Sequence, residues 1–308
     1  MKSKLATFSA LTVLLLGSAQ SGDYSSKQPV NPKQPVDSRG VVGEIGLGLG
    51  WNWIDEDDGD GASVYLSTIN GSVAFPVGNF YIFALDAYAR YDDFSDDADF
   101  DSNEDPEFEY SFGAHFLRDM SADTRLGFFT AYGDTRPQDW DKDDSYDVLM
   151  GGVEYQHFVS DKLLLFTQLG YGRSLRDGED STEAFGEGGF ISRAGGTYFV
   201  NEQTALTLDF EAAFAAHYVD SDDAGLFYGV TLGGETQLSE GSPLYLTYFA
   251  RYDFIDATDD GWIEDVQAGV GIKYLFGAGS SKEAARAGKS IGTPRMPIRG
   301  SAWTENRD

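Results

Sequence analysis

The sequence predicts an all-β fold: a single transmembrane antiparallel β-barrel of about 12 strands, with short periplasmic turns and long acidic outer loops. Three observations support this prediction. Strand-like runs alternate between apolar and polar residues, the connections between runs alternate between short and long, and the acidic residues cluster in the long connections. The pattern of the whole chain, and no single motif, therefore indicates the fold class.

The last apolar run, from Trp262 to Phe276, shows the alternation that is typical of a strand. Most of its even-numbered residues are apolar, whereas the residues between them are mostly polar or glycine. The first run, 41–54, repeats the pattern, with Leu49 and Trp51 on the face opposite Asn52. An apolar face opposite a polar or bare face suits a strand with lipid outside the barrel and water inside.

Twelve such runs follow one another, and their connections alternate in length without exception. The runs cover residues 41–54, 62–76, 79–92, 107–118, 124–134, 145–158, 162–176, 185–199, 203–219, 225–238, 243–256 and 262–276. The short connections are 76–78, 119–123, 160–161, 200–202 and 239–242, and the long ones are 55–61, 93–106, 135–144, 177–184, 220–224 and 257–261. A barrel with both termini in the periplasm requires this order of short turns and long outer loops.

The net charge of −29 is concentrated in the long connections, which with their flanking residues contain more than half of the 51 Asp and Glu. This distribution places negative charge on one rim of the barrel. The alternative is that acidic loops simply keep these segments soluble and disordered, and the sequence leaves both interpretations open. The acidity also argues against nucleic acid as a partner, because a phosphate backbone is bound by dense Lys and Arg.

The chain divides into four segments. Residues 1–20 have the pattern of a secretory signal peptide, with lysines, a short apolar core and small residues in order. Residues 21–40 are rich in polar residues and proline and are expected to form a flexible periplasmic arm. The barrel is predicted over 41–276. Residues 277–308 form a basic tail that we expect to be disordered in the periplasm, with peptidoglycan, inner-membrane lipid or the barrel's own acidic lumen as alternative contacts.

The end of the last run supports a resemblance. The segment Gly271-Ile272-Lys273-Tyr274-Leu275-Phe276 resembles the glycine-x-x-aromatic-x-aromatic signal that closes the outer-membrane β-barrel and porin-like proteins of Gram-negative bacteria. The resemblance implies that Gly271, Tyr274 and Phe276 are read by the barrel-assembly machinery. It also implies a location in the outer membrane, in contact with lipid and lipopolysaccharide. The sequence departs from the pattern at Gly269, where a polar residue is usual, and in continuing beyond Phe276.

The alternation assigns a set of charged residues to the barrel interior as candidate pore-lining residues. They are Glu44, Asp86, Arg90, Arg125, Glu154, Glu187, Arg193, Asp209, Glu211, Glu235, Arg251, Asp253 and Lys273. Rings of carboxylates select cations in pores. Alternatively, these charges pair with one another and brace a closed barrel. Interior glycines such as Gly46 and Gly48 favour an open bore, because they remove bulk from its wall.

Two long connections contain aspartates at every second residue, a spacing that begins calcium-binding loops. They are Asp97, Asp99 and Asp101, and Asp139, Asp141 and Asp143. Ser102 and Asp144 occupy the sixth position, where such loops need glycine, and no glutamate follows at the twelfth. We therefore expect diffuse attraction of Ca²⁺ or Mg²⁺ in preference to a dedicated site, and we expect no other cofactor.

We expect the protein not to be an enzyme. It has no cysteine, which excludes a disulfide scaffold, a thiolate metal site and a cysteine nucleophile. By alternation His115 and His217 point inward, while His157 points outward beside a short turn, which does not match the arrangement in twelve-stranded outer-membrane phospholipases. No phosphate-cradling loop or histidine-pair metal motif occurs.

The sequence thus predicts a passive, mildly cation-preferring pore for small hydrophilic solutes. The alternative is a non-conducting structural or surface-interaction barrel whose acidic loops bind divalent cations, lipopolysaccharide or an external partner. Neither the state of the bore nor the oligomeric state follows from the pattern of residues.

Overall fold

The structure is a computed structural model that describes residues 40–56, 62–94, 107–137, 146–173, 175, 188–215, 225–256 and 262–295. Twelve antiparallel strands form a closed barrel in which each strand pairs with its neighbours in sequence and β1 pairs with β12. The strands are β1 (Val42–Glu56), β2 (Ala62–Val77), β3 (Tyr81–Phe94), β4 (Glu107–Asp119), β5 (Thr124–Pro137), β6 (Tyr146–Ser160), β7 (Leu163–Arg173), β8 (Gly189–Phe199), β9 (Thr204–Ala215), β10 (Gly225–Gln237), β11 (Leu244–Asp256) and β12 (Trp262–Phe276).

The predicted fold class is confirmed, and most strand boundaries agree with the predicted runs to within a few residues. One difference has a clear backbone cause. β8 begins at Gly189 and not at residue 185, because Gly188 has a φ of 111°, which extended backbone does not adopt. A second difference is that β5 continues to Pro137, since its ladder with β4 extends to Glu107.

The short connections all lie at one end of the barrel, here called the short-turn end, together with the start of β1 and the end of β12. They cover residues 78–80, 120–123, 161–162, 200–203 and 238–243. Gly78 and Gly241 have φ angles of 61° and 74°, which glycine adopts without strain. In another turn the Asn201 side chain accepts hydrogen bonds from the backbone N–H groups of Gln203 and Thr204. The opposite end, here called the loop end, leads to the long connections, which lie mainly outside the described residues.

The two faces of the barrel differ in polarity as the alternation predicts. On the outer face Leu49 and Val270 expose 67% and 59% of their surface, whereas on the inner face Asn52 exposes none. Apolar residues on the outside and buried polar residues on the inside reverse the pattern of a water-soluble barrel, and this arrangement is typical of a barrel surrounded by lipid.

One short helix, α1 (Ser281–Ala287), follows the barrel. The side chain of Ser280 caps its first turn by accepting a hydrogen bond from the Glu283 N–H, and Gly288 ends it with a φ of 103°. The structure therefore differs from the disordered tail expected after residue 276, because residues 277–295 have a capped helix and many buried side chains. Among the described residues, no helix is both long and apolar enough to cross a membrane. The predicted signal peptide, nearly all of the predicted arm, and the last part of the tail lie outside the described residues.

Candidate functional site in the barrel interior

The structure places the predicted pore-lining residues on the inward positions of the strands, except Glu187, which lies outside the described residues. In β8 to β11 they form a chain of ion pairs. The guanidinium of Arg193 lies 2.6 Å from Asp209 Oδ2 and 3.5 Å from Glu211 Oε1. Arg251 lies 3.1 Å from the other oxygen of Glu211 and 2.8 Å from Asp253. These ion pairs link β8 with β9, and β9 with β11 across the intervening β10.

A second cluster lies nearer the short-turn end. Lys273 Nζ contacts the carboxylates of Glu44, at 3.0 Å, and of Glu235. Lys289 of the tail lies 2.9 Å from the same oxygen of Glu44. Elsewhere in the interior, Arg90 pairs with Asp92. Burial of such charges is tolerated because each is paired.

His115 lies between two carboxylates. Its Nε2 is 3.0 Å from Asp86 Oδ1, its Nδ1 is 2.7 Å from Glu154 Oε2, and its side chain has no exposed surface. Each ring nitrogen is thus within hydrogen-bond distance of one carboxylate. His115 therefore ties β3, β4 and β6 together. His157 instead bonds to Thr124 at the short-turn end, and His217 lies outside the described residues.

The tail helix α1 occupies the short-turn end of the interior. Ala284 and Ala287 pack into an apolar cluster, and Ala285 packs into a second one on another side of the helix. We call the inward barrel residues of both clusters the apolar collar. The collar consists of Val42, Ala74, Ile82, Ala84, Leu117, Phe158, Leu164, Phe199, Ala205, Tyr245 and Leu275. Small alanine side chains allow the helix to fit between its walls.

Polar contacts hold the C-terminal end of α1. Arg125 of β5 donates hydrogen bonds to the carbonyl oxygens of Ala285, at 2.7 Å, and of Arg286. Both carbonyls belong to the last helical turn, and that of Ala285 also accepts a hydrogen bond from the Gly288 N–H. Arg286 reaches Asp123 at 2.6 Å and Asp161 at 3.2 Å in two short turns. Its guanidinium also lies 3.7 Å from the ring centroid of Phe158.

The residues after α1 run into the interior and bond to the barrel wall. Thr293 donates a 2.9 Å hydrogen bond to Asp86 Oδ2. The carbonyl oxygen of Gly292 accepts hydrogen bonds from Arg193 at 2.9 Å and from Gln168 at 3.0 Å. Gly113 of β4 makes room for this segment, because a Cβ there would collide with the Thr293 hydroxyl oxygen.

The end of the described tail stacks on the wall at mid-barrel. The Arg295 guanidinium lies 4.3 Å from the ring centroid of Tyr88. At that distance the cation interacts favourably with the face of the ring. The tail thus contacts the interior from the short turns to the middle of β3.

A cavity of about 420 Å³ remains beside the tail. Tail residues including Lys289, Thr293 and Arg295 line one part of it. The part formed by β1, β2 and β10 to β12 carries small polar residues and glycines. Among them are Gly48, Thr68, Asn70, Thr231, Gly233 and Thr247. The lining of this cavity is therefore mixed, because the hydroxyl, amide and charged groups share it with apolar side chains such as Phe166 and Phe249.

At the loop end, interior acids outnumber interior bases within the part of the chain that the structure describes. The buried acids on inward positions near this end are Asp92, Glu109, Glu211, Asp253 and Asp265. The buried bases nearest to them are Arg90 and Arg251. The loop end of the interior is consequently negative even though several of its carboxylates are paired.

The predicted assembly signal lies on β12 beside the closing strand pair. A Cβ at Gly271 would collide with the backbone oxygen of Leu47 on β1, so the two strands approach closely there. The rings of Tyr274 and Phe276 stack with centroids 6.5 Å apart. The ring of Phe276 lies where a side chain at Gly43 would be. Recognition of these residues by the assembly machinery stays a prediction.

The predicted calcium-attracting aspartates, at 97, 99, 101, 139, 141 and 143, lie outside the described residues. Within the described ranges, no group of three or more His, Asp or Glu side chains is arranged to hold a metal ion. The diffuse attraction of Ca²⁺ or Mg²⁺ stays a prediction.

Reasoning from the sequence missed the tail residues and the apolar collar. Two signals could have revealed them. Ile82, Leu117 and Tyr245 are apolar or aromatic at positions where alternation points inward, which a water-filled bore does not explain. The tail itself reads Ser280-Ser-Lys-Glu-Ala-Ala-Arg-Ala-Gly288, a helix with a serine and a glutamate at its start and a glycine at its end.

Comparison with known proteins agrees with the barrel architecture. The structure is similar to an outer-membrane channel from Pseudomonas putida F1, at 10% sequence identity and a TM-score of 0.55, over 82% of this chain and 100% of that one. Weaker likenesses include the translocator domain of the autotransporter NalP from Neisseria meningitidis (14% identity, 89% and 98% of the two chains, TM-score 0.44) and the KdgM porin (8% identity, 74% and 99%, TM-score 0.44). No family model and no curated protein matches the sequence. The chain therefore has the fold of the outer-membrane β-barrel and porin-like proteins that its closing motif resembles.

Proposed function

We propose that the protein is an outer-membrane channel through which small hydrophilic solutes diffuse, with a mild preference for cations. The observation that supports this function most directly is the cavity of about 420 Å³ inside the closed barrel, whose lining includes hydroxyl, amide and charged groups. Cavities that hold small molecules have volumes of about 300–1,000 Å³. Its threonine and asparagine side chains can exchange hydrogen bonds with a passing solute, and its glycines leave the wall free of bulk.

The cation preference is supported by the charge at the loop end. A solute that enters there meets more buried carboxylates than guanidinium groups among the described residues. Carboxylates that line a pore lower the energy of cations and raise that of anions. The paired state of Asp253 and Glu211 with Arg251 weakens this field, so we expect a mild preference and not strict selectivity.

Recording in planar lipid bilayers under a KCl gradient tests this function. The purified full-length protein should give conductance steps whose reversal potential has the sign expected for K⁺ over Cl⁻. Anion-selective steps would refute the charge argument. A well-folded barrel that never conducts, even with its tail displaced as described below, would refute the channel.

The proposed location is the outer membrane. Export would use the segment 1–20 as a cleaved signal peptide, and insertion would depend on recognition of Gly271, Tyr274 and Phe276 by the barrel-assembly machinery. The mature barrel would contact outer-membrane lipid and lipopolysaccharide. Cell fractionation tests this proposal, since release of the protein with soluble periplasmic contents, without detergent, contradicts it.

A second function is favoured by one specific observation. The interior charges pair with one another, and the tail fills the short-turn end. A barrel of this kind could be non-conducting and act through its acidic loops on divalent cations, lipopolysaccharide or an external partner. The bilayer recording separates the two functions, because only the channel gives steps.

A further inference from the structure

We propose that residues 281–295 act as a built-in plug, and that solute flow through the barrel requires this segment to leave its place. The proposal rests on the channel function above. It concerns the short-turn end, where α1 and the residues that follow it lie across the interior.

The apolar collar is the first argument. Ile82, Leu117 and Tyr245 have no exposed surface, and Leu275 exposes 1%. In an empty, water-filled bore these inward side chains would be solvated at a cost of about 25 cal/mol for each Å² of apolar surface. Ala284 and Ala287 of the tail helix cover these side chains and so remove that cost. The collar is therefore a seat for a helix.

Charge complementarity is the second argument. The barrel is acidic, whereas the tail carries bases that meet it one after another. Lys282 pairs with Glu202, Arg286 with two turn aspartates, and Lys289 with Glu44. The outer pairs are accessible to solvent, since the Glu202 side chain is 57% exposed, while the Lys289–Glu44 pair is mostly buried. The ion pairs that hold the tail are thus more buried inside the bore than at the short-turn end.

The connection to the barrel is the third argument, because it permits withdrawal. Gly277 and Gly279 lie between β12 and the helix cap at Ser280. The backbone hydrogen bonds of α1 are within the helix, from Ala284 to Ser280 and from Lys289 to Ala284. Its links to the strands use side chains. The segment can therefore leave toward the periplasm without opening the ladder of any strand.

A disulfide lock tests the position of the plug and its effect together. Gly113→Cys combined with Thr293→Cys puts a Cβ at residue 113 next to the place that the Thr293 hydroxyl oxygen occupies, so a small shift of the tail lets the two sulfurs bond. The native chain has no cysteine, so no other pair can form. We expect the double variant to cross-link under oxidation, to conduct least when oxidised, and to regain wild-type conductance under reductant. Each single-cysteine variant is the matched control and should not respond to redox conditions.

A second variant displaces the plug without a cross-link. Ala284→Glu buries a carboxylate among apolar side chains, which expels the helix, whereas Ala284→Ser keeps its size and leaves the helix seated. The open probability in bilayers should rise by at least about tenfold for the glutamate variant and remain at the wild-type level for the serine variant.

The outcomes separate the plug from the channel. Failure of the cysteines to cross-link, in a protein whose Gly113→Cys single variant conducts no more than the wild type, shows that the tail does not lie in the bore, and it overturns the plug. Efficient cross-linking with equal conductance in oxidised and reduced protein also overturns the plug, while the channel stands. If the cross-link forms but no variant conducts, the channel itself is refuted, and the plug as a gate is refuted with it.

Discussion

The two ends of the barrel interior have opposite chemistry. At the short-turn end, inward residues such as Ile82 and Leu117 are apolar and fully covered by α1. At the loop end, inward residues such as Glu109 and Asp265 are acidic, and the described tail extends from the short-turn end to mid-barrel, where Arg295 lies beside Tyr88. Inward residues that predict a single polar lumen can therefore form two different regions: an apolar surface that binds a helix at one end and a charged surface at the other.

The difference also separates two kinds of stabilisation. The short-turn end gains from apolar burial, which does not depend on charge, together with pairs that salt can screen. The loop end depends on networks of buried ion pairs, in which loss of one member leaves its partners unpaired. Substitutions at the loop end should therefore destabilise the barrel itself, whereas substitutions at the short-turn end should mainly loosen the tail.

The largest effect is expected from Arg251→Met at the loop-end network. This substitution leaves Asp253 and Glu211 without a cation that both contact, and breaking a buried pair costs about 3–5 kcal/mol. A folded barrel and its unfolded chain migrate differently in detergent gels, and the temperature at which the folded band disappears should fall. Lys282→Met is the matched control, because exposed pairs contribute about 0–1 kcal/mol. Equal losses for both variants would contradict the comparison.

A somewhat smaller effect is expected from Leu117→Ala in the apolar collar. The cavity created should weaken the seat of α1 by about 2–3 kcal/mol, toward the low end of large-to-small core substitutions, since the helix can shift to fill it. Trypsin should then cleave the tail faster while the barrel remains intact. Leu49→Ala, on the lipid-facing surface, should leave tail cleavage unchanged. A tail cleaved equally fast in both variants would show that the collar does not hold it.

The alternation of residues was sufficient to predict the strands but not the contents of the barrel. In β1 and β12 the period of two, with Leu49 out and Asn52 in, follows directly from backbone geometry, so the sequence determines it locally. The seat depends on contacts between residues far apart in the chain, such as Leu117 with the cluster around Ala284. Such contacts leave only an indirect trace, namely apolar residues at inward positions.

The interior ion pairs illustrate the same limit. Alternation assigned Arg193, Asp209 and Glu211 to the interior, but both an open carboxylate ring and a braced wall fit that assignment. The pairing of β8 with β9 determines which of these charges meet, because Arg193 lies opposite Glu211 in the register of the two strands and close to Asp209. Register across strands, and not the pattern within one strand, determines which charges pair.

A smaller effect is expected on selectivity from the loop-end acids. Each charge acts on an ion passing at about 8 Å through water with roughly 0.5 kcal/mol, which corresponds to about a twofold change in partition. Glu109→Gln and Asp265→Asn, introduced in the Ala284→Glu background, should each lower the ratio of K⁺ to Cl⁻ permeability by about fivefold, because the lost charge favours K⁺ and disfavours Cl⁻ by about twofold each. Glu202→Gln, at the short-turn end and exposed, should change the ratio less. An unchanged ratio in the first two variants would place the selective charges elsewhere.

The smallest effect is expected from divalent ions at the long acidic connections. Acids in 93–106 and 135–144 follow one another at intervals of one to three residues in the sequence, a chain length comparable to the Debye length of roughly 8 Å at physiological salt, so we expect their repulsion to be only partly screened. Ion binding stabilises the folded state by mass action, by about 0.4 kcal/mol when the ion concentration equals the dissociation constant. Millimolar Ca²⁺ should therefore raise the unfolding temperature slightly and slow proteolysis in both ranges.

Replacement of Asp97, Asp99 and Asp101 by Asn should reduce the effect in proportion to the charge removed, because the glycine and the closing glutamate of a calcium loop are missing. Loss of most of the calcium effect would instead indicate a dedicated site, and an equal effect of NaCl at matched ionic strength would indicate screening alone.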